Sequence, residues 1–512
     1  MKTLQEVFKK YEAVIGLEIH TELTTLNTKM FCSCKISHED LANENTCPVC
    51  LGLPGALPVP NKQAIQSIVL AGLSTNCDIE KDSMFYRKNY FYPDMSKNYQ
   101  ITQGPVAFAM RGYLDLEVSG KAADERVDVE KDEDNAYLAH VGITRIHMEE
   151  DAGKLNHIGG VDGRIAGAEH SLVDYNRCGM PLIELVTEPD LRTPEEARLF
   201  MQKLRSIFLT LNISDCSLEN GSMRCDGNVS LRKRGETKFG VKTELKNMNS
   251  FKNLHDGLEY EIIRQANVLD EGGQIYQETR HWEPSNKRTI VMRTKETADD
   301  YRLFPDPDLA PYNLSDEFID EVRAMLPELP DEKRERFMAN FGLGKKDASA
   351  LAEDAATAKF FEDALADTKD EKIAKSLANI ILNDLAAYLN AQGATIDELD
   401  LNSLYFGELA AMLSSDEISS KQAKEVLELM MKDNVSPKQI VEEKGMKQIS
   451  DLGAIEALVA GVLENASEQV EQYKSGNTKV IGFLVGQVMK ASGGQANPKL
   501  INQVLRSMLE KL

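Results

Sequence analysis

The period of the hydrophobic pattern changes once along this chain of 512 residues, close to residue 305. Before that point apolar and polar residues alternate with period two, and most of the glycines occur there. Beyond Pro305-Asp306-Pro307-Asp308 the period is helical up to the C-terminus. This division predicts an α+β fold, with a mainly antiparallel sheet followed by helical domains. We predict domains at residues 1–305, 306–405 and 406–512.

Short-range signals predict individual strands in the first part. Asn220-Gly221 lies between Asp215–Glu219 and Ser222–Arg232, which indicates a β-hairpin with a tight turn. Gly112–Gly120 places Leu114, Leu116 and Val118 on one face of a strand.

Helix starts are marked in the second part. Ser419 with Gln422 forms a capping box ahead of an apolar-periodic run. Ser436-Pro437 places a proline at the first helical position. A last amphipathic helix is predicted over Lys499–Leu512.

Composition limits the classes of function. The chain has no run of about 18 apolar residues and no apolar secretory segment, so we expect a soluble, cytoplasmic protein without a membrane span. The net charge of −23 argues against indiscriminate binding of nucleic acid. Between Lys474 and Leu512, however, six basic residues face one acid, Glu510. That excess fits either an RNA-binding end or ordinary solvated lysines.

A first polar constellation lies in Tyr11–Leu23. If this segment is a strand, alternation places Glu18, His20 and Glu22 together on the face opposite the apolar residues. Two carboxylates and an imidazole suit a hard divalent cation such as Mg²⁺. A solvated face of a half-buried strand is the simpler interpretation of this segment alone.

A second constellation is the acidic end of Ile143–Lys154, with the adjacent carboxylates Glu149, Glu150 and Asp151. Neighbouring carboxylates repel one another unless a cation or a raised pKa relieves them. Alternation groups Glu149 with His147, and Glu150 with the apolar Met148. The pattern leaves open which of the two acids turns into a site, or whether both belong to an acidic strand end.

Two further segments carry charged residues in strand-like runs. Glu184 lies inside an otherwise apolar run, where a carboxylate is costly to bury without a partner. Arg224 and Asp226 share a face by alternation, which could equally be a structural ion pair.

The cysteine spacing gives the most specific metal signal. Cys32 and Cys34 are followed, after a short loop, by Cys47 and Cys50. Two close pairs with this separation are typical of a structural zinc site with four cysteine ligands. Four thiolates leave no open coordination position, so we expect the metal to fix the loop rather than to react.

Basic and aromatic residues alternate in Tyr86–Asp94, with Lys97 following. Such a run can hold phosphates or stack on a base, or it can be an ordinary edge of the core. The chain contains no P-loop, no dinucleotide glycine motif and no nucleophile elbow. If ATP is used, metal and scattered basic residues must hold its phosphates.

Together, these segments resemble the B subunits of the bacterial GatCAB amidotransferases, from about residue 11 to the C-terminus. Many long motifs match in order, whereas any one alone would be weak. The matching stretches are GLEIH (16–20), FCSC with CPVCLGLPGALPV (31–34, 47–59), RKNYFYPD (87–94), HMEEDAGK (147–154), VDYNR with PLIELVTEPD (173–177, 181–190), GSMRCDGNVSLR (221–232), KTELKNMNSF (242–251), DYRLFPDPDL (300–309) and GQANPKLINQ (494–503).

The resemblance implies a glutamine-synthetase-like catalytic cradle, a helical linker domain and a tail domain that contacts tRNA. It implies ATP-dependent amidation of misacylated Glu-tRNA(Gln) or Asp-tRNA(Asn) through an acyl phosphate, in protein synthesis. The implied partners are a glutaminase A subunit, a small C subunit and the tRNA. The implied Mg²⁺ and ATP site consists of Glu18, His20, Glu150, Glu184 and Asp226, with Arg224 beside it and Lys88 and Lys97 near the active centre.

Three alternatives are weighed against this family. The related archaeal-type subunit carries an additional inserted domain, for which 512 residues leave no room. A zinc-stabilised RNA-binding module would not need Glu18, His20 or Glu184. A free-standing amide ligase for small molecules is disfavoured by the tRNA-like tail.

Overall fold

The structure is a computed structural model that describes residues 2–37, 40–160, 165, 167–294, 301–366, 368–446, 451–493 and 496–511. The chain divides into two compact units, Met1–Leu329 and Pro330–Leu512. The three-domain division stays a prediction. No helix in the described ranges has both the length and the apolar character needed to cross a bilayer.

The first unit contains all the described strands and five helices. The strands are β1 (Tyr11–Glu22), β2 (Asp78–Ile79), β3 (Asp82–Ser83), β4 (Phe85–Asn89), β5 (Tyr99–Gln103), β6 (Ala109–Ser119), β7 (Ala136–Glu150), β8 (Lys154–Ile158), β9 (His170–Asp174), β10 (Pro181–Thr187), β11 (Met223–Lys233), β12 (Thr243–Lys246), β13 (Glu278–Glu283), β14 (Arg288–Thr294), β15 (Phe304–Pro305) and β16 (Tyr312–Asn313). The helices are α1 (Leu4–Phe8), α2 (Lys62–Ser74), α3 (Pro194–Thr210), α4 (Phe251–Asp270) and α5 (Asp316–Arg323).

One large sheet organises this unit. Its strands run in the order β14-β13-β12-β11-β1-β10-β7-β5-β4-β15, and β6 and β2 extend it beside β7. Neighbouring strands are antiparallel except for β12 and β13. The predicted mainly antiparallel sheet and the α+β class are therefore confirmed. β1 is central, because it pairs with β10 on one side and β11 on the other.

The core lies on one face of the sheet. Ile15, Leu17 and Ile19 of β1 are buried, and they belong to the same hydrophobic cluster as the apolar sides of α2, α3 and α4. Because side chains alternate along a strand, Glu18 and His20 point to the opposite face. The helices thus leave one face of the sheet open for polar side chains.

The hairpin predicted at Asn220-Gly221 is wrong. Asp215–Glu219 forms no strand, and β11 begins only at Met223. The partners of β11 are β1 and β12, neither of which is joined to it by this turn. The turn instead connects the end of α3 with β11, and Met223 N–H donates to Ser217 O at 3.1 Å.

The predicted strand at Gly112–Gly120 is confirmed within β6, and Leu114, Leu116 and Val118 are buried as expected. A short 3-10 helix, Gly120–Glu125, follows β6. Its last residue is Glu125, whose side-chain Oε2 is buried and has no hydrogen-bond partner among the described residues. Burial, followed by the charges of Glu259 and Glu195, raises the pKa of Glu125 to about 7.

The second unit is helical throughout its described residues. Its helices are α6 (Pro330–Phe341), α7 (Lys345–Ala352), α8 (Ala355–Leu365), α9 (Glu371–Asn379), α10 (Ala386–Gln392), α11 (Ser403–Ser414), α12 (Ser420–Asp433), α13 (Pro437–Glu443), α14 (Leu452–Asn465), α15 (Ser467–Lys474), α16 (Val480–Ala491) and α17 (Pro498–Lys511), with a π-helical segment, Ile380–Leu385, between α9 and α10. One hydrophobic cluster spans residues 337–446 and another spans residues 455–509.

The predicted helix starts are confirmed. The Ser419 hydroxyl accepts from Gln422 N–H, and the Gln422 side chain accepts from Ser419 N–H at 2.8 Å. Ser436 caps α13 with Pro437 in its first turn. The last helix begins at Pro498, one residue before the predicted start, and the predicted end at Leu512 lies outside the described residues.

Candidate functional site

The register of three central strands brings distant polar residues into one row on the open face. His20 of β1 lies opposite Glu184 of β10, and Glu184 lies opposite His147 of β7. Glu149 is two residues beyond His147 on the same face, and Glu18 is two residues before His20. We call these five residues the carboxylate–imidazole cluster.

The donor atoms of the cluster are close together. His20 Nε2 lies 3.4 Å from Glu184 Oε2 and 3.8 Å from Glu18 Oε1. His147 Nε2 lies 3.3 Å from the same Glu184 oxygen. Glu149 is 3.9 Å from each imidazole. The potential metal-binding atoms of Glu18, His20 and Glu184 all lie within 4.8 Å of one another, as do those of His147, Glu149 and Glu184.

The carboxylates of the cluster are not equivalent. Burial opposes ionisation of Glu184, but the charges and hydrogen bonds of His147 and His20 outweigh it and hold the pKa of Glu184 well below its ordinary value. Burial and the Glu184 charge raise the pKa of Glu149 and of Glu18. The Oε2 atom of Glu149 is buried and accepts no hydrogen bond from the described residues. Negative charge is therefore crowded at this position, and a cation would relieve it.

Glu150, which the family resemblance assigns to the metal, points away from this row. Its side chain accepts from Ile101 N–H at 2.9 Å and forms an ion pair with Lys97. Both members of the pair are buried, with side chains 2% and 5% exposed. Alternation correctly grouped Glu149 with His147, but no sequence signal indicated the pairing of Lys97 with Glu150. The catalytic assignment of Glu150 stays a prediction.

Arg224 borders the cluster from β11, where it lies opposite His20. Its carboxylate partner is Asp151, at 2.6 Å from its Nη2, and not Asp226. Burial opposes ionisation of Asp151, but Arg224 and Arg177 lower the pKa of that carboxyl. Burial and the Asp151 charge raise the pKa of Glu22 to about 8. Sequence reasoning grouped Asp151 with Glu149 and Glu150 but did not pair it with Arg224, and it did not name Arg177.

Asp226 lies opposite Glu18 and forms an ion pair with Lys246 of β12. Lys246 is a functional candidate that the sequence did not reveal. Its strand, β12, is positioned by pairing with β11 and β13, and local sequence patterns do not predict such pairings. Lys88 of β4 lies on the same face as Tyr86, which the register of β4, β5 and β7 aligns with Glu149. Its charge acts to lower the pKa of the Glu149 carboxyl, against the effect of burial. The predicted basic residues therefore surround the cluster, with Lys97 behind it.

The four predicted zinc-binding cysteines come together in the structure. Their sulfur atoms all lie within 4.8 Å of one another. A hydrogen bond from the Cys32 thiol lowers the pKa of Cys50 to about 4. The buried Lys29 ammonium donates to Asn45 O at 2.7 Å and lies 3.8 Å from Cys50 Sγ. The loop therefore forms a possible four-cysteine metal site with a fixed positive charge beside it.

Carboxylates and imidazoles gathered on the open face of a large sheet, with basic residues around them, define a candidate metal-dependent enzyme of the α+β class. Comparison with protein families supports an enzyme and does not bear on the metal. Residues 13–320 match a family described as the GatB/GatE catalytic domain, and residues 359–509 match the GatB domain. The chain belongs to the GatB family.

Curated relatives match along the whole chain. Three of them, from Carboxydothermus hydrogenoformans, Brevibacillus brevis and Persephonella marina, are each named as the B subunit of an aspartyl/glutamyl-tRNA(Asn/Gln) amidotransferase. They are 48%, 46% and 47% identical to this chain, over 98% of the chain and 100% of each relative. The resemblance drawn from the sequence motifs is confirmed.

Proposed function

We propose that this chain is the B subunit of a tRNA-dependent amidotransferase, which converts Glu-tRNA(Gln) or Asp-tRNA(Asn) into the correctly amidated form. Identity of 48% and 46% along the whole length of two named B subunits supports the reaction. The observation that carries the mechanism is the carboxylate–imidazole cluster, with the buried Glu149 oxygen that no described residue satisfies.

A carboxylate is a poor electrophile, so the side chain of the esterified Glu or Asp needs activation. Transfer of the γ-phosphoryl group of ATP to that carboxylate gives an acyl phosphate and ADP. Ammonia then attacks the acyl carbon, the amide forms, and phosphate leaves. Phosphoryl transfer depends mainly on positioning and on charge stabilisation. Arg224, which lies opposite His20, and Lys88, on the strand two places from β7, would hold the phosphate oxygens beside the cluster.

The cluster fits a Mg²⁺ ion by the chemistry of its donors. Glu18, Glu149 and Glu184 supply carboxylate oxygens, which are preferred by hard divalent cations, and His20 completes one group of donors. An excess of buried negative charge is costly without a cation. A bound Mg²⁺ would neutralise the phosphate charge during transfer. Asp226, held by Lys246, and Glu150, held by Lys97, are the remaining residues that the family resemblance assigns to this site.

The four-cysteine site fits Zn²⁺, for which four thiolates are the usual structural ligands. Cys32, Cys34, Cys47 and Cys50 would hold the ion and fix the loop between β1 and α2. With all four positions filled by sulfur, the ion has a structural role.

The rest of the family organisation belongs to the same proposal. The first domain is a glutamine-synthetase-like cradle, followed by a linker domain and a tail domain whose exposed basic residues meet the tRNA. A glutaminase A subunit delivers the ammonia, and a small C subunit holds the two large subunits together. Such a translation enzyme works in the cytoplasm.

The test reconstitutes the chain with its A and C partners, glutamine, ATP, Mg²⁺ and radiolabelled Glu-tRNA or Asp-tRNA, and identifies the amino acid released. We expect Gln or Asn, and no amide without ATP. Glu184→Gln should abolish amide formation, because it removes the central carboxylate of the cluster. Glu188→Gln is the matched control, because Glu188 is exposed and accepts a hydrogen bond from the Thr144 hydroxyl at 2.7 Å, outside the cluster. Amide formation by Glu184→Gln at the wild-type rate would refute the proposed site.

A further inference from the structure

Exposed aromatic rings are concentrated at one edge of the large sheet. They lie just after β4 and just before β15, two strands that pair with each other. Asn89 N–H donates to Tyr301 O at 2.9 Å and so holds the two segments side by side. We call this surface the aromatic edge, and it consists of Tyr90, Phe91, Tyr92, Tyr301 and Arg302.

Two of the rings stack on each other, and each of the other two has a cation over its face. Tyr90 and Tyr92 stack with centroids 5.8 Å apart and an interplanar angle of 26°. The Arg302 guanidinium lies 5.6 Å from the Phe91 centroid, and Phe91 is 67% exposed. Lys88 Nζ lies 5.0 Å from the Tyr301 centroid. Leaving such large rings exposed is unfavourable unless a ligand covers them.

The aromatic edge borders the carboxylate–imidazole cluster. Lys88 Nζ lies over the Tyr301 ring, and Lys88 shares a face of β4 with Tyr86, which lies opposite Thr102 of β5, itself opposite Glu149 of β7. Two residues beyond Tyr92, Asp94 O accepts from Gly153 N–H at 2.8 Å, just beyond the end of β7. A ligand that lies on the edge would therefore pass Lys88 on the same face of the sheet as Glu149.

We infer that the aromatic edge binds the single-stranded 3′ end of the substrate tRNA. This inference rests on the proposed function, which requires the acylated 3′ end to reach the cluster. Unpaired bases stack on exposed aromatic faces, and Arg and Lys side chains hold the neighbouring phosphates. In a chain with net charge −23, cations placed among exposed rings fit an anionic, flat ligand. An apolar protein surface would desolvate those cations without offering them an anion.

The test uses the full chain with Phe91→Ala and a matched control, Phe239→Ala. Phe239 is also exposed and lies under an arginine, with Arg232 5.7 Å from its centroid. Arg232 lies opposite Glu12 on β1, and Glu12 is about 20 Å along that strand from Glu18 of the cluster. The probes are a labelled RNA acceptor-stem hairpin ending in single-stranded CCA and the same hairpin with a blunt end.

We expect Phe91→Ala to weaken binding of the CCA hairpin about tenfold and to leave binding of the blunt hairpin unchanged. Phe239→Ala should bind both probes like the wild type. Wild-type affinity of Phe91→Ala for the CCA hairpin would overturn the inference. Loss of co-purification with the A subunit, with RNA binding intact, would overturn it in favour of a protein interface.

A kinetic measurement separates this inference from the proposed function. In the reconstituted enzyme, Phe91→Ala should raise KM for misacylated tRNA about tenfold and keep kcat for ATP cleavage. No ATP cleavage by the wild type would refute the proposed function, and the hairpin experiment would still decide what binds at the edge. An unchanged KM in an active enzyme would refute only the role of the edge.

Discussion

The buried ion pair between Lys97 and Glu150 allows one stability prediction to be worked out from its contacts. The two side chains are 5% and 2% exposed, so neither charge is hydrated in the folded protein. Replacing Lys97 by Met leaves the Glu150 carboxylate with the Ile101 N–H, at 2.9 Å, as a hydrogen-bond donor. Removing one member of a buried pair costs about 3–5 kcal/mol. Because the Ile101 contact remains, we expect Lys97→Met to lose about 3 kcal/mol of unfolding free energy.

Urea-induced unfolding can measure this loss specifically. The chain has one tryptophan, Trp282, which is buried in the first unit, so its fluorescence reports unfolding of that unit. The double variant Lys97→Met/Glu150→Gln should be about 1–2 kcal/mol more stable than Lys97→Met, because no uncompensated charge remains. Lys81→Met, which breaks an exposed pair with Asp316, is the control and should change stability by less than about 0.5 kcal/mol. A wild-type unfolding curve for Lys97→Met would refute the reasoning.

Three further substitutions test other parts of the molecule. Since the pKa of Glu125 is raised to about 7 from 4.5, the folded state keeps a proton that the unfolded chain loses. Above pH 7, ionising Glu125 in the folded protein costs up to about 3.4 kcal/mol of unfolding free energy, which partial exposure of the side chain reduces to about 1–2 kcal/mol. In the urea assay, Glu125→Gln should therefore stabilise the first unit by about 1–2 kcal/mol at pH 8 and hardly at all at pH 4.5. A gain of equal size at both pH values would contradict this. Lys29→Met removes the ammonium beside Cys50 Sγ and should weaken zinc binding about tenfold. Competition with a chromophoric chelator measures the affinity, and Lys35→Met is the control. Gly407→Ala puts a Cβ 1.9 Å from the carbonyl oxygen of Ala364 and should destabilise the second unit by about 1–3 kcal/mol, measured by thermal melts followed by circular dichroism. The control Gly461→Ala adds a Cβ in open space and should stabilise the same unit by about 0.5–1 kcal/mol.

Local chemistry made several elements predictable. The β1 strand follows from alternation over Tyr11–Leu23, because one face of it is buried and the other is open. The start of α12 follows from Ser419 and Gln422, since a capping box involves only residues within one turn. The four-cysteine cluster follows from spacing alone, because two close pairs on a short loop have few other arrangements.

Long-range pairing made other features unpredictable. The Asn220-Gly221 turn has the composition of a hairpin, yet only one of its flanks is a strand, and that strand pairs with β1. A turn signal describes the local backbone and says nothing about which strand its neighbour will join. The same limit explains why Lys246 and Lys97 could not be matched with their carboxylates before the fold was known.

The two adjacent acids at the end of β7 show how one strand can serve both faces of a sheet. Glu149 points to the open face, where its Oε2 has no partner among the described residues, and Glu150 points to the other face, where Lys97 neutralises it. A carboxylate that already has a buried ammonium partner gains little from a metal ion, whereas an unsatisfied one gains much. The arrangement therefore favours Glu149 as the residue that meets the ion and Glu150 as the residue that fixes the strand end. This division explains why both acids must stand together in the sequence, since moving either by one position would exchange the two faces.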